Sequence, residues 1–387
     1  MRGLSLTDEG IPSADTLSQL SLCSPEGLLL PKLEWLHWDI YYKASAALPF
    51  FRLFLSPHLR RITFDHHPAY HIPRGQMAAL AQLISVLPTS LESLDINLDQ
   101  EDAEPVKDAL SSFVCRCGSS LRGFYTVGPL SDATILHLVQ LPNLSRWRTE
   151  QGPPQVTSTP PLQSLEWFRF DGEEVLSWLH FLASDGKGST STTSHTPAKK
   201  TLKFIDLPLG TIVDSTLLSS IAIFRNLVKI LVRNETYLVG ESCTFRLTDD
   251  DVTELAVALP CLESLRLGHP CYLDTCKTTV ASLMSISIHC PDLLILEIHF
   301  RVQTIVDDMQ SLLDGGVGHS KPKCRLRGLL AGHQPLELDS AGLQTVAMGF
   351  NVIFPHMKVL EGAVWAWDVL RCKMLISGYE EEAHLES

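Results

Sequence analysis

Six times along this chain an apolar residue is followed by two variable positions, a second apolar residue, a mostly polar one and a third apolar one. The phrase reads LEWLHW from Leu33, LRRITF from Leu59, LESLDI from Leu91, LVKILV from Leu227, LESLRL from Leu262 and LLILEI from Leu293. Weaker copies begin at Leu144, Leu162, Leu202, Leu326 and Met357. In the best-phased stretches, such as Leu59 to Leu91 and Leu227 to Leu262, the copies fall 25 to 35 residues apart. A period in that range means that each unit is one supersecondary element that cannot bury its apolar face alone, so neighbours must stack. The chain is thereby constrained to a repeat array, and an array does its work with a surface.

Between the phrases run segments with apolar residues three and four apart, the helical period. The clearest start at Gln76, Asp132, Glu173, Asp249 and Thr278, and four of the five end at a proline: Pro88, Pro142, Pro260 and Pro291. Proline lacks an amide proton and pushes the preceding residue out of helical geometry, so it marks where each helix stops. Thr248 and Asp251 have the spacing of a reciprocal helix cap. The unit is helix, proline, short strand, loop, and the expected fold is an α/β leucine-rich-repeat solenoid: a right-handed horseshoe of about ten irregular repeats over 1–387, parallel strands on the concave face and helices on the convex one.

Strand parity assigns the faces. In LESLRLG, Leu265 and Leu267 share one side, so Ser264, Arg266 and Gly268 share the other. With the apolar side against the helices, the same parity puts Trp35, His37, Arg61, Thr63, Asp95, Asn97, Lys229, Arg233, Arg266, Glu297 and His299 on the open wall. These are the candidate binding residues.

Composition narrows the function. With 45% hydrophobic and 19% charged residues, the chain has material for a core. The net charge of −13, with no Lys/Arg run longer than a pair, argues against a phosphate-tracking face. Lys321, Lys323, Arg325 and Arg327 read as a solvated loop. No run of consecutive apolar residues is long enough to span a membrane, and no signal-peptide pattern opens the chain, so a cytoplasmic or nuclear location is expected. In that setting the sequons at Asn143 and Asn234 carry no meaning. The ten cysteines are expected as reduced thiols, with Cys261 and Cys290 lining the core beside the prolines that open repeat phrases.

Motifs for chemistry find no foothold. His66, His67 and His71 cluster with Asp65, but Pro68 and Pro73 break the helix that would aim them at a metal, so the segment reads as a polar loop. Cys115 with Cys117, and Cys271 with Cys276, lack a second ligand pair. DGKGST at Asp185 misses the spacing of a phosphate loop. It lies in the Ser/Thr-rich stretch 184–200, expected as a flexible insertion, while 152–161 is a shorter, stiffer spacer and 379–387 an acidic tail. Trp365 and Trp367 are expected to cap the apolar core after the last repeat. No catalytic residue, metal ligand or cofactor is assigned, and the chain is expected not to be an enzyme.

PFFRLFLSPHLRRITF from Pro49, LTDDDVTELAVALPCLESLRLG from Leu247, CPDLLILEIHF from Cys290 and LQTVAMGFNVIFPHMKVLEGAVWAWDVL from Leu343 resemble the leucine-rich-repeat region of fungal F-box-like proteins. The resemblance implies the substrate-recognition arm of a Skp1-cullin-F-box (SCF) ubiquitin ligase, holding a protein ligand on its concave wall. It also implies an F-box near the N-terminus, a three-helix module opening on Leu-Pro. The opening MRGLSLTDEGIPSADTLSQLSL does not match that module and looks like the tail of a repeat. A Skp1-type adaptor is therefore an expected partner only with an F-box encoded upstream, and a stand-alone scaffold or decoy is the alternative.

Overall fold

The computed structural model describes residues 2–7, 12–23, 28–39, 47–65, 74–97, 100–127, 130–154, 162–172, 174–183, 197–207, 211–232, 245–267, 277–301, 303–315, 324–331 and 338–361. The histidines at 66, 67 and 71, Arg233, Cys271, Cys276, Lys321, Lys323, Trp365, Trp367, the insertion over 184–196 and the tail over 379–387 lie outside them.

The leading leucine of each strong phrase is wholly buried, and a strand starts two residues after it: Trp35 after Leu33, Arg61 after Leu59, Ser93 after Leu91, Lys229 after Leu227, Ser264 after Leu262 and Ile295 after Leu293. An apolar anchor thus enters the core just before the backbone extends, and every strand begins in the same phase. The strand-helix alternation is that of an α/β leucine-rich-repeat solenoid, all of whose strand pairs are parallel. The chain divides into two compact units, Met1–Thr201 and Leu202–Ser387, both of this design.

In the first unit the strands are β1 (Gly3–Leu6), β2 (Trp35–Asp39), β3 (Arg61–Asp65), β4 (Ser93–Asn97), β5 (Gly123–Val127), β6 (Arg146–Thr149) and β7 (Trp167–Phe170). They pair side by side in chain order. Helices α1 (Ala14–Cys23), α2 (Arg74–Val86), α3 (Gln100–Cys117), α4 (Asp132–Gln140), α5 (Val175–Ala183) and α6 (Pro197–Thr201), with a 3-10 stretch at Leu48–Phe54, make the other layer. The second unit has β8 (Phe204–Leu207), β9 (Lys229–Val232), β10 (Ser264–Leu267), β11 (Ile295–Ile298), β12 (Gly328–Ala331) and β13 (Val359–Glu361), again neighbours in chain order. Its helices are α7 (Ser215–Ala222), α8 (Asp249–Ala258), α9 (Val280–His289), α10 (Ile305–Asp314) and α11 (Ser340–Ile353). No helix among the described residues is long and apolar enough to cross a membrane.

Proline ends the helices as expected. α2, α4, α8 and α9 stop two residues before Pro88, Pro142, Pro260 and Pro291, and α11 does the same before Pro355. Their first residues past the helix, such as Leu141 at φ −66°, ψ 120°, already have extended or near-extended backbone, the geometry a following proline requires. Thr248 caps α8 with the reciprocal pair: its hydroxyl accepts from the Asp251 amide, and the Asp251 carboxylate accepts from the Thr248 amide at 2.8 Å.

The structure corrects the sequence reading in five places. Leu121, wholly buried, opens a repeat at β5 that the phrase search passed over, because LRGFYT has glycine at its third position and tyrosine where a polar residue is usual. The weak copy assigned to Leu162 starts at Leu165, two residues before β7. The opening of the chain, read as the tail of a repeat, forms a strand and a ten-residue helix of its own, β1 and α1. The insertion ends earlier than Lys200, since Pro197–Thr201 is helical with Ala198 buried; proline at a helix start gives up an amide that had no partner there. Cys261 is exposed while Cys290 is buried, because Cys261 follows its proline on the outside of the turn and Cys290 precedes its own.

Candidate open-face binding site

The parallel register turns the outward positions of the first unit's strands into rows. The first row runs Gly3, Trp35, Arg61, Ser93, Gly123, Arg146, Trp167 from β1 to β7. The third positions from β2 onward are His37, Thr63, Asp95, Tyr125, Arg148 and Arg169, and the fifth positions of β2 to β4 are Asp39, Asp65 and Asn97. The intervening positions point into the core, and from β2 onward their side chains are buried. Alternation therefore separates a hydrocarbon layer from a polar one along the same five residues.

Nine of the eleven residues expected on the open wall lie on it, Trp35, His37, Arg61, Thr63, Asp95 and Asn97 in the first unit and Lys229, Arg266 and Glu297 in the second, all exposed or half-buried. Arg266 and Glu297 are half-buried register partners on β10 and β11. Arg233 lies outside the described residues. His299 is the exception: it is only 1% exposed, with its ring edge-on to Phe245 at 5.9 Å and its carbonyl accepting from the Thr278 hydroxyl. It follows the last residue of β11, Ile298, and beyond a strand end the two-residue alternation no longer dictates the face.

Sequence reasoning missed Tyr125, Arg146, Arg148, Trp167, Arg169 and Asp171. The parity rule applied to the weak phrase at Leu144, LSRWRT, yields Arg146 and Arg148 directly, so the signal was present.

Glycines in the first row make room for aromatic rings. A Cβ on Gly3 would sit 2.0 Å from the Trp35 indole, and one on Gly123 would sit 3.1 Å from the Tyr125 ring. Both rings therefore lie down over a neighbouring backbone. Tyr125 also meets Trp167 at 5.4 Å between ring centres and 60° between planes. Burial pushes the Tyr125 phenol up, opposed by Arg146, which hydrogen-bonds it.

The charges are arranged in two groups. Arg148 Nε donates to Asp171 at 2.5 Å and Arg169 Nε to the same carboxylate at 2.8 Å, with each side chain under a fifth exposed. At the other side, His37 and Asp39 are paired through Nε2 and Oδ1 at 2.6 Å, and Asn97 donates to Asp65 at 2.8 Å. His37, Asp39 and Asp65 each bring a donor atom within 4.8 Å of the others, a set of the type that holds a divalent ion. Between the groups stands Asp95, pushed up to about 6 by burial and by Asp65, against the pull of Arg148, Arg169 and His37. The face can thus offer cationic, anionic and aromatic contacts within a few strands.

The comparisons with known proteins add little to this geometry. No family model matches the chain, and no curated protein matches it. Among solved structures it is similar to a chain of the yeast Rad7 and Elc1 complex, with a TM-score of 0.35 and 17% identity over 93% of this chain and 69% of that one.

Proposed function

We propose that the chain is a non-catalytic protein-recognition module that holds another protein against the open face of its sheet. The observation that carries this reading is the first unit's first row, where Trp35, 45% exposed, stands beside exposed Arg61, with exposed Arg146 and half-buried Trp167 further along. Tryptophan, tyrosine and arginine supply most of the energy at protein interfaces, because they bury large area with few rotors. Here they stand on strands whose own hydrogen bonds are satisfied by their neighbours, so a partner meets side chains and not a free sheet edge.

The finer reading is the substrate-recognition arm of an SCF-type ubiquitin ligase. It is supported by the sequence resemblance around Pro49, Leu247, Cys290 and Leu343, and is separate from the binding reading. A purified mixture with a Skp1-type adaptor tests it. Co-purification of the 387-residue chain with the adaptor would place a docking surface within the repeats, and the stand-alone scaffold reading gains if neither this chain nor an upstream extension binds.

The recognition reading is tested by placing a photo-crosslinking residue at the Trp35 position and, separately, at exposed Glu254 on α8. Crosslinked partners should appear from the first position, and their yield should fall with Arg146→Glu. Equal yields from both positions would remove the open face from its role.

A further inference from the structure

Read across the strands, the first row of the first unit has a mirror order. From β2 to β7 it runs aromatic, arginine, small, small, arginine, aromatic: Trp35, Arg61, Ser93, Gly123, Arg146, Trp167. The small residues make a floor onto which the Tyr125 ring folds, because Gly123 has no Cβ in its way. An arginine and a tryptophan stand on each side of that floor.

We infer that this row is a binding trough for an extended acidic segment of a partner protein, a refinement that rests on the recognition reading above. Neighbouring strands are about 4.8 Å apart, so Arg61 and Arg146, three strands apart, stand about 14 Å from one another. An extended peptide advances about 3.3 Å per residue, so one crossing the strands brings residues about four apart over the two guanidinium groups. The sequence it fits is therefore a pair of Asp or Glu residues about four apart, with apolar residues outside them to meet Trp35 and Trp167.

Apart from Asp95, two residues past Ser93 on β4, charge on the face supports that sign and that path. Arg148 and Arg169 are already held by Asp171, whereas Arg61 and Arg146 reach solvent and Arg146 is steadied by the Tyr125 phenol. A planar guanidinium has five donors, so the Tyr125 contact leaves enough for a bidentate carboxylate. Asp39 and Asp65 stand four residues further along the strands, about 13 Å away, and repel an acidic segment that strays from the row. The same carboxylates, in a chain of net charge −13, disfavour a nucleic acid, which needs many clustered cations.

The test is selection of a displayed library of random peptides of about twelve residues on the full chain, long enough to span the row. Recovered peptides are then synthesised and their Kd measured by fluorescence anisotropy. The expected pool carries paired Asp or Glu about four apart. The double variant Arg61→Glu, Arg146→Glu should weaken the selected peptide by about tenfold or more, and Asn or Gln in place of the peptide's two acids should do the same. Arg61→Gln with Arg146→Gln gives a second pair that removes charge without reversing it, and circular dichroism checks the fold of each. A pool with no acidic pair that is still lost on Trp35→Ala with Trp167→Ala overturns the acidic-segment inference and leaves the recognition reading standing. A pool indifferent to every open-face variant, or no enrichment, overturns both. Tighter binding of a single-stranded RNA of about the same reach than of the peptide overturns the protein assignment.

Discussion

The two units share a repeat design and differ in where they place their distinctive side chains. In the first unit nine rings are wholly buried, Trp38, Phe51, Phe64, Phe113, Phe124, Trp147, Phe168, Phe170 and Trp178, against Phe224 and Phe350 in the second, and β5 to β7 carry rings at the inward second position where β2 to β4 carry Leu36, Ile62 and Leu94. In the second, the equivalent strand positions Ile205, Ile230, Leu265, Leu296, Leu329 and Leu360 are all aliphatic. The outer rows differ too. The second unit's first row, Phe204, Lys229, Ser264, Ile295, Gly328 and Val359, has no arginine and lacks the mirror order of the first. The second unit adds helix caps at Asp214, Thr248, Thr279 and Asp339, against Ser13 and Ser131 among the described residues of the first. One repeat fold can thus be held by large rings in one stretch and by caps in another, and only the ring-held stretch gathers a polar-aromatic open face.

The largest effect should come from the centre of the ring cluster. Trp178 is wholly buried and meets Trp147 at 4.9 Å, Phe168 at 5.3 Å, Phe170 at 6.3 Å and Phe181 at 5.3 Å, and its indole donates to the Gln151 carbonyl at 2.7 Å. Trp178→Ala leaves a cavity among rings that cannot all move in, and strips Gln151 of its donor. A loss of about 3–5 kcal/mol in urea unfolding is expected, with amide exchange rising in β6 and β7. A loss below about 1 kcal/mol would mean that the rings are not what holds this unit.

The second unit's counterpart is Asp249. It stands in the first turn of α8, yet its carboxylate accepts from the Thr279 amide at 2.7 Å, the Thr279 hydroxyl at 2.8 Å and the Ser282 hydroxyl, all at the start of α9 in the next repeat. One side chain therefore serves two helix N-termini, where a negative charge is favoured. Asp249→Ala should cost about 1–3 kcal/mol, less than the tryptophan but more than a single cap. Unchanged thermal stability would break the contrast between a ring-held unit and a cap-held one.

The sequence made the period legible because burial acts on it directly: a leucine that must enter the core recurs wherever a strand must start. The prolines did the same for helix ends. What escaped was whatever a second constraint disguised. β5 was hidden by Gly123, kept small for the Tyr125 ring. The open-face residues of β2 to β4 followed from parity alone, but their company did not. Pairing of Arg148 and Arg169 with Asp171, or the nearness of Asp95 to both charge groups, depends on register across repeats and on side-chain reach. His299 shows the same limit from the other side, since parity gives no guidance once the strand has ended.

The smallest effect tests whether the first unit's face is held at a cost. Asp95 carries a carboxyl raised to about 6 from an ordinary 3.8, chiefly because its oxygens are withdrawn from water. Between those two pH values the folded chain binds the proton that the unfolded chain has released, so stability falls as pH rises from about 4 to about 6 and stays lower above it. Arg148, Arg169 and His37 offset part of this penalty but not all. Asp95→Asn keeps the shape and removes the charge, so it should stabilise the chain by about 1–2 kcal/mol at pH 7.5, and the gain should shrink to nothing near pH 4. If Asp95→Asn destabilises at pH 7.5, the arginines outweigh burial, and the first unit's face holds that carboxylate at no cost.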